Sequence, residues 1–278
     1  MSVVPTIALN DGYSIPQLGL GVFKIPAGDT ARVVGEALEL GYRHIDTAQM
    51  YGNEAGVGEA VAASGLDRGE VFLTTKLNNG NHRPDDARRS FEQSLATMGL
   101  DYVDLFLIHW PQPRRDPDGY VAAWQTLEEF KRDGRARSIG VSNFEIEHLE
   151  RLAAETETLP AVNQIELHPG FGNDEVRAWG EEHGIATEAW SPIARGEVLR
   201  DATVKEIAEA HVRTPAQVVL RWHLQRGTIV FPKSARSERL RENFALFDFE
   251  LALDDVARID ALDRGEAGRV GPHPSAFG

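Results

Sequence analysis

The sequence predicts a (β/α)8 barrel whose bottom is closed by an N-terminal β-hairpin. Three observations predict it. Eight short β-like runs alternate with longer helical patterns almost from end to end. The runs are apolar throughout rather than alternating, as expected of parallel strands covered by helices. The chain has 278 residues, long for one packed core, short for two domains, and suited to one barrel of repeated units. An open doubly wound sheet is the alternative. No linker, low-complexity tract or close repeat interrupts the βα rhythm, so residues 1–278 are expected to form a single barrel domain.

Taken in order, "TIALNDGYSIPQLG" (6–19) reads as the hairpin, with Asn10-Asp11-Gly12 as its turn. The barrel strands follow as "LGLGVF" (18–23), "YRHIDTA" (42–48), "VFLTTKL" (71–77) and "VDLFLIHW" (103–110). The second half supplies "ARSIGVSN" (136–143), "AVNQIELH" (161–168), "IATEAW" (185–190) and "TIVFPKS" (228–234). Between them lie amphipathic helices. "DTARVVGEALELG" is expected to start on a capping Asp29 and stop at Gly41, with Val33, Val34, Ala37 and Leu38 on one stripe. "RPDDARRSFEQSLATMG" has Pro84 at an acidic first turn, while "VAAWQTLEEFKRDG" and "VRAWGEEHG" finish in glycine.

Composition narrows the chemistry. There is no cysteine, which excludes disulfides, thiolate nucleophiles and cysteine-ligated metal sites and fits a reducing cytoplasm. The formal net charge is −14, which disfavours nucleic acid and anionic membrane as partners. No apolar run reaches membrane-spanning length, and the N-terminus lacks the basic and apolar regions of a secretion signal.

A barrel does its chemistry at the C-terminal ends of its strands. Asp46 ends the second strand and Tyr51 follows in its loop. Lys76 ends the third strand and His109 the fourth. Each alone reads as a cap, a solvated lysine or a packing ring. On adjacent strands they converge on one mouth. A tyrosine with a pKa of about 10 is a poor proton donor at neutral pH, and a nearby ammonium is expected to lower that value. Asp46 would hold Lys76 charged, Lys76 would tune Tyr51 as general acid, and His109 would orient a substrate oxygen. This set protonates a carbonyl oxygen, and the missing hydride implies a nicotinamide cofactor. No metal site is expected.

The Gly-x-Gly-x-x-Gly dinucleotide fingerprint is absent. The phosphate candidate is instead "FPKSARSERLRENF", where Lys233, Ser234, Arg236 and Arg239 cluster after the eighth strand at a helix N-terminus. Guanidinium groups there suit a ribose 2′-phosphate, the alternative being ion pairs with Glu238 and Glu242. "GVSNF" (140–144) and "NQIEL" (163–167) end the fifth and sixth strands with amides able to hold a carboxamide, and Trp190 ends the seventh with a flat stacking face.

"GYRHIDTAQMYGNE", "TTKL", "LIHWP", "SIGVSNF", "NQIELHP" and "FPKSARSERLRENF" together resemble the signature segments of the aldo-keto reductase superfamily, in family order from about Ile7 to Val270. Within it, the chain is most similar to bacterial 2,5-diketo-D-gluconic acid reductases. The resemblance implies a monomeric barrel that reduces aldehydes and ketones with NADPH. It implies Tyr51 as proton donor, Lys76 and Asp46 as the pair that lowers its pKa, and His109 as the orienting group. It also implies Ser142, Asn143 and Gln164 on the carboxamide, Trp190 on the nicotinamide ring, and Gly21, Ser191 and Ile193 along the pyrophosphate and nicotinamide. Lys233, Ser234, Arg236 and Arg239 would take the 2′-phosphate, Asn243 the adenine, and Phe23 and Trp110 the substrate. The chain departs from the pattern in two places: Asn78 stands where many relatives have tryptophan, making the pocket rim more polar or open, and Ala194-Arg195 replaces a glycine-rich turn. Two rival functions remain at this point: a lyase forming a Schiff base on Lys76, and a non-catalytic NADPH-binding redox sensor.

Overall fold

Strands β3 to β10 lie side by side in strictly sequential order and all run parallel. In the computed structural model, which describes residues 4–277, they are β3 (Leu20–Gly21), β4 (His44–Asp46), β5 (Phe72–Leu77), β6 (Val103–Ile108), β7 (Ala136–Ser142), β8 (Val162–Glu166), β9 (Ala186–Trp190) and β10 (Ile229–Val230). The ring closes where the amides of Gly19 and Gly21 bond the carbonyls of Val230 and Phe231, at 2.8 and 3.1 Å. All eight predicted strands are present. The terminal ones are shorter than their apolar runs because only a few residues at the seam are paired.

Helices α1 (Ala27–Leu40), α2 (Glu54–Ala63), α3 (Pro84–Met98), α4 (Gly119–Arg132) and α5 (Ile146–Glu155) wrap the first part of the ring. Next come α6 (Asp174–Glu182), α7 (Ala202–Ala210), α8 (Pro215–Gln225), α9 (Ser237–Phe244) and α10 (Leu253–Asp260). Their ends follow local chemistry. Gly41 and Gly99 sit at φ 107° and 66°, the left-handed stop that glycine adopts without strain. Pro84 opens α3 as expected. Asp29 does not cap α1: the helix begins two residues earlier at Ala27, and Asp29 lies in its acidic first turn, 3.6 Å from Arg32. Among the described residues no helix is long and apolar enough to cross a membrane.

The hairpin of β1 (Thr6–Ala8) and β2 (Ser14–Pro16) pairs antiparallel, as predicted. Its Ile15 is fully buried in a cluster with Leu105, Leu107, Val162 and Ile229, so it closes the N-terminal end of the barrel. Gln17 fastens the seam there by donating to the carbonyls of Leu224 and Thr228. A second cluster lies between strands and helices, where Phe91 stacks on Phe106 at 4.3 Å beside the buried Trp124.

One glycine on α2 is set by close approach. A Cβ on Gly58 would lie 2.1 Å from the carbonyl oxygen of Met98, a backbone atom that cannot swing away. We expect Gly58→Ala to cost about 2–3 kcal/mol by overpacking. Gly35→Ala, whose Cβ meets nothing within 4 Å on α1, should be neutral or stabilise by about 0.5–1 kcal/mol. Denaturant midpoints of the two variants check the contrast, and equal midpoints would contradict it.

Candidate active site

The parallel register sets the site's floor. Asp46 is the last residue of β4 and Lys76 lies near the end of β5, and both are buried. Lys76 Nζ donates to both carboxylate oxygens of Asp46, at 2.6 and 2.8 Å, and to the carbonyl of Thr47 at 2.8 Å. Tyr51 ends a single turn of 3-10 helix after β4, and its hydroxyl lies 3.4 Å from the same Nζ. His109 follows β6, its ring 5.8 Å from that of Tyr51 in an edge-on arrangement. The structure therefore brings all members of the predicted tetrad together.

The electrostatics differ from the expectation in one respect. Burial pushes the Tyr51 phenol above its ordinary value. The Lys76 ammonium pulls the other way without prevailing, and the Asp46 carboxylate adds to the rise. The predicted net lowering by Lys76 is thus corrected, because burial outweighs the Lys76 ammonium and Asp46 opposes part of its field. Burial also opposes the charge on Lys76, but Asp46, Tyr51 and Glu188 together outweigh it and the ammonium is held above its usual range. His109 is kept neutral: burial, then Lys76, drive it well below the usual imidazole value. A neutral His109 can donate one N–H to an oxygen but has no spare proton to deliver.

Around the tetrad, Phe23 is half-exposed and packs on the Tyr51 ring at 4.9 Å, and Trp110 is nearly buried, 4.4 Å from Phe277. Asn78 is partly exposed, and its backbone N–H is held by Gln49 Oε1 at 2.8 Å. The loops after β5 and β6 enclose a polar cavity of about 370 Å³ lined in part by Asn79, His82, Gln112 and Arg115. It adjoins Asn78 in sequence, and no member of the tetrad lines it.

The expected cofactor residues lie along the same C-terminal face. Ser142, Asn143 and Gln164 form a chain: Ser142 Oγ donates to the Gln164 carbonyl, and Asn143 Nδ2 donates to Ser142 Oγ and to the His109 carbonyl. Trp190 Nε1 donates to Asn143 Oδ1 at 2.7 Å, fixing the ring's orientation. Asn143 is therefore largely committed within the protein. Gln164 spends both Nε2 hydrogens on Asp46 Oδ2 and Glu188 Oε2, each at 2.9 Å, which leaves its Oε1 as the free acceptor. Ser191 and Ile193 lie in the turn after β9, where Ser191, Ala194 and Arg195 all have φ near +50°. The turn keeps the left-handed backbone of a glycine-rich loop at some cost in strain. Gly21 has a packing reason to be glycine, since a Cβ would lie 2.7 Å from the Phe231 carbonyl oxygen.

Lys233, Arg236 and Arg239 are exposed at the start of α9, Ser234 is buried beside them, and Asn243 is buried on the same helix. The alternative of ion pairs with Glu238 and Glu242 does not form among the described residues, and Glu242 instead accepts from Thr214 Oγ1 at 2.6 Å. These cations are free to meet a phosphate, and with the free Gln164 acceptor they fit a phosphorylated nicotinamide nucleotide.

Sequence reasoning missed four contributors. Gln49 ties the Tyr51 turn to the loop after β5. Glu166, buried at the end of β8, accepts from the backbone N–H groups of Val270 and Gly271 and so pins the C-terminal tail across the mouth. Phe277 brings that tail onto Trp110. Glu188 sits fully buried in β9, its carboxyl pushed up to about 8 by burial and by the neighbouring Asp46. For Glu166 and Glu188 a signal existed, a carboxyl inside an otherwise apolar strand. For Gln49 and Phe277 there was none.

Known proteins bear directly on this geometry. The Aldo/keto reductase family profile matches residues 17–264. An "Aldo-keto reductase" of Mycobacterium sp. (strain JLS) is 50% identical over 273 residues, 98% of each chain. "Methylglyoxal reductase DkgA" of Yersinia pestis is 49% identical over 281 residues, covering 100% of this chain and 99% of the relative. A crystal structure of a Gox0644 mutant in complex with NADPH superposes with a TM-score of 0.95 at 47% identity, covering 100% of both chains. Matched from the hairpin's end to the last helix, and carrying the four residues at its strand ends, the chain belongs to the aldo/keto reductase family.

Proposed function

We propose that this protein is an NADPH-dependent carbonyl reductase in which Tyr51 donates the proton. The observation that carries the reading is the placement of one buried ammonium, Lys76, on both Asp46 and the Tyr51 hydroxyl. Bound NADPH supplies the hydride. Tyr51 supplies the proton to the carbonyl oxygen, Lys76 stabilises the phenolate left behind, and neutral His109 holds the oxygen by a hydrogen bond. Lys76 is poorly suited to Schiff-base chemistry, because Asp46 keeps it charged and an ammonium has no lone pair. A small polar carbonyl such as a keto-sugar or a 2-oxoaldehyde suits the polar rim at Asn78. The relative named a methylglyoxal reductase supports the same class. The chain is read as acting alone, as one barrel domain.

The test is consumption of NADPH with a panel of aldehydes, methylglyoxal and keto-sugars. Turnover with none of them would overturn the reading. Cofactor choice has its own check. Replacing Lys233 and Arg236 together by alanine should weaken NADPH about 10- to 100-fold, as loss of charge-assisted bonds implies. NADH affinity should hardly move. Equal weakening of both cofactors would show that these residues do not read the 2′-phosphate.

A further inference from the structure

Gln164 and Glu188 face each other in register on β8 and β9 and both point into the barrel, where the mechanism above gives Glu188 no part. Glu188 Oε2 accepts one Nε2 hydrogen of Gln164, and Asp46 Oδ2, reaching across from β4, accepts the other. Glu188 Oε1 has no hydrogen-bond partner, and the nearby His44 ring, with Nε2 3.7 Å away, is kept neutral by burial. A carboxyl group fully buried with one oxygen unpaired is expensive to keep, and a leucine or valine would fill the position in an ordinary barrel strand. The bond to Gln164 is what the burial obtains.

We propose that Glu188 is a positioning residue that, with Asp46, clamps the Gln164 amide so that its Oε1 faces the nicotinamide carboxamide. A planar amide held by one N–H bond still swivels about it. Held by both, its plane is fixed, and so is the direction of its oxygen. An oxygen fixed in advance accepts an N–H from the ligand without an ordering cost, whereas a ligand group lacking N–H gains nothing. The clamp also joins the cofactor pocket to the proton-delivery pair, since the same Asp46 oxygen accepts from Lys76 and Gln164. The inference rests on the proposed contact between Gln164 and the carboxamide.

The experiment uses two ligands that differ at one group: NADP+, which carries a carboxamide, and 3-acetylpyridine adenine dinucleotide phosphate, which carries a methyl ketone. Dissociation constants are measured by quenching of tryptophan fluorescence. The unmodified protein should favour NADP+ by about tenfold, the worth of one hydrogen bond. Gln164→Ala should bring that ratio close to one. Glu188→Met should lower it at least about threefold, and Glu188→Gln, which keeps an acceptor for Gln164, should restore it. Glu188→Ala serves in place of the methionine variant should that one fail to fold. A ratio kept in Glu188→Met but lost in Gln164→Ala overturns the clamp and spares the Gln164 contact. A ratio kept in Gln164→Ala overturns both. Equal weakening of the two ligands in Glu188→Met reduces Glu188 to a structural role and likewise overturns the clamp.

Discussion

Tyr51→Phe should lower carbonyl reduction by about 10²- to 10⁴-fold, the usual worth of a positioned general acid, while NADPH binds as before. The change deletes one oxygen and leaves the ring against Phe23 and His109, so the pocket keeps its shape. No other group takes over the proton. His109 is neutral and Lys76 is committed to Asp46 and Thr47. The same electrostatics predict the pH profile. A phenol pushed above its ordinary value remains protonated through neutral pH, so the rate of reduction should be flat there and fall only at strongly alkaline pH. Single-turnover reduction followed by NADPH absorbance, across pH, checks both statements. A Tyr51→Phe enzyme with most of its activity would remove Tyr51 from the mechanism, and a rate falling near pH 6.5 would transfer the proton to His109.

The address of each tetrad residue was legible in the sequence because a barrel strand has only one end for chemistry. "YRHIDTA", "VFLTTKL" and "VDLFLIHW" end in polar groups where apolar ones would pack equally well. What the strand pattern could not give was the balance of fields. From strand ends alone, Lys76 and Asp46 read as a pair that lowers the Tyr51 pKa. In the folded protein burial decides the sign, and the Asp46 carboxylate opposes the Lys76 ammonium where the phenol lies. Contacts across the barrel were equally hidden. Gln164 and Asp46 are 118 positions apart, and no local pattern says that the amide meets the carboxylate. The path of the C-terminal tail was hidden too, because it depends on Glu166 accepting two of its backbone N–H groups.

Lys76→Met should cost about 3–5 kcal/mol of stability as well as activity, and the cost should depend on pH. Methionine fills much of the lysine's volume, so packing changes little and the loss is electrostatic. Asp46 keeps only its bond from Gln164 and becomes a buried carboxylate without a cation. Burial already holds its carboxyl above the ordinary value, with Lys76 the main opposing influence, so removing Lys76 raises it further. A group with a raised folded pKa contributes stability that is fully present below its unfolded value and is lost as pH rises through the folded one. The variant should therefore come closest to the unmodified protein in mild acid, where Asp46 is protonated, and fall behind as pH rises to neutral. Glu188 moves the same way, because Lys76 also lowers its pKa. Adding Asp46→Asn should return most of the stability, since a neutral amide needs no counter-ion, yet should return none of the activity, since the ammonium beside Tyr51 is still missing. Denaturant unfolding of both variants at pH 5 and pH 8 separates the two effects. A deficit equal at both pH values, or a double variant no more stable than the single one, would mean that Lys76 holds the barrel by packing and not by charge.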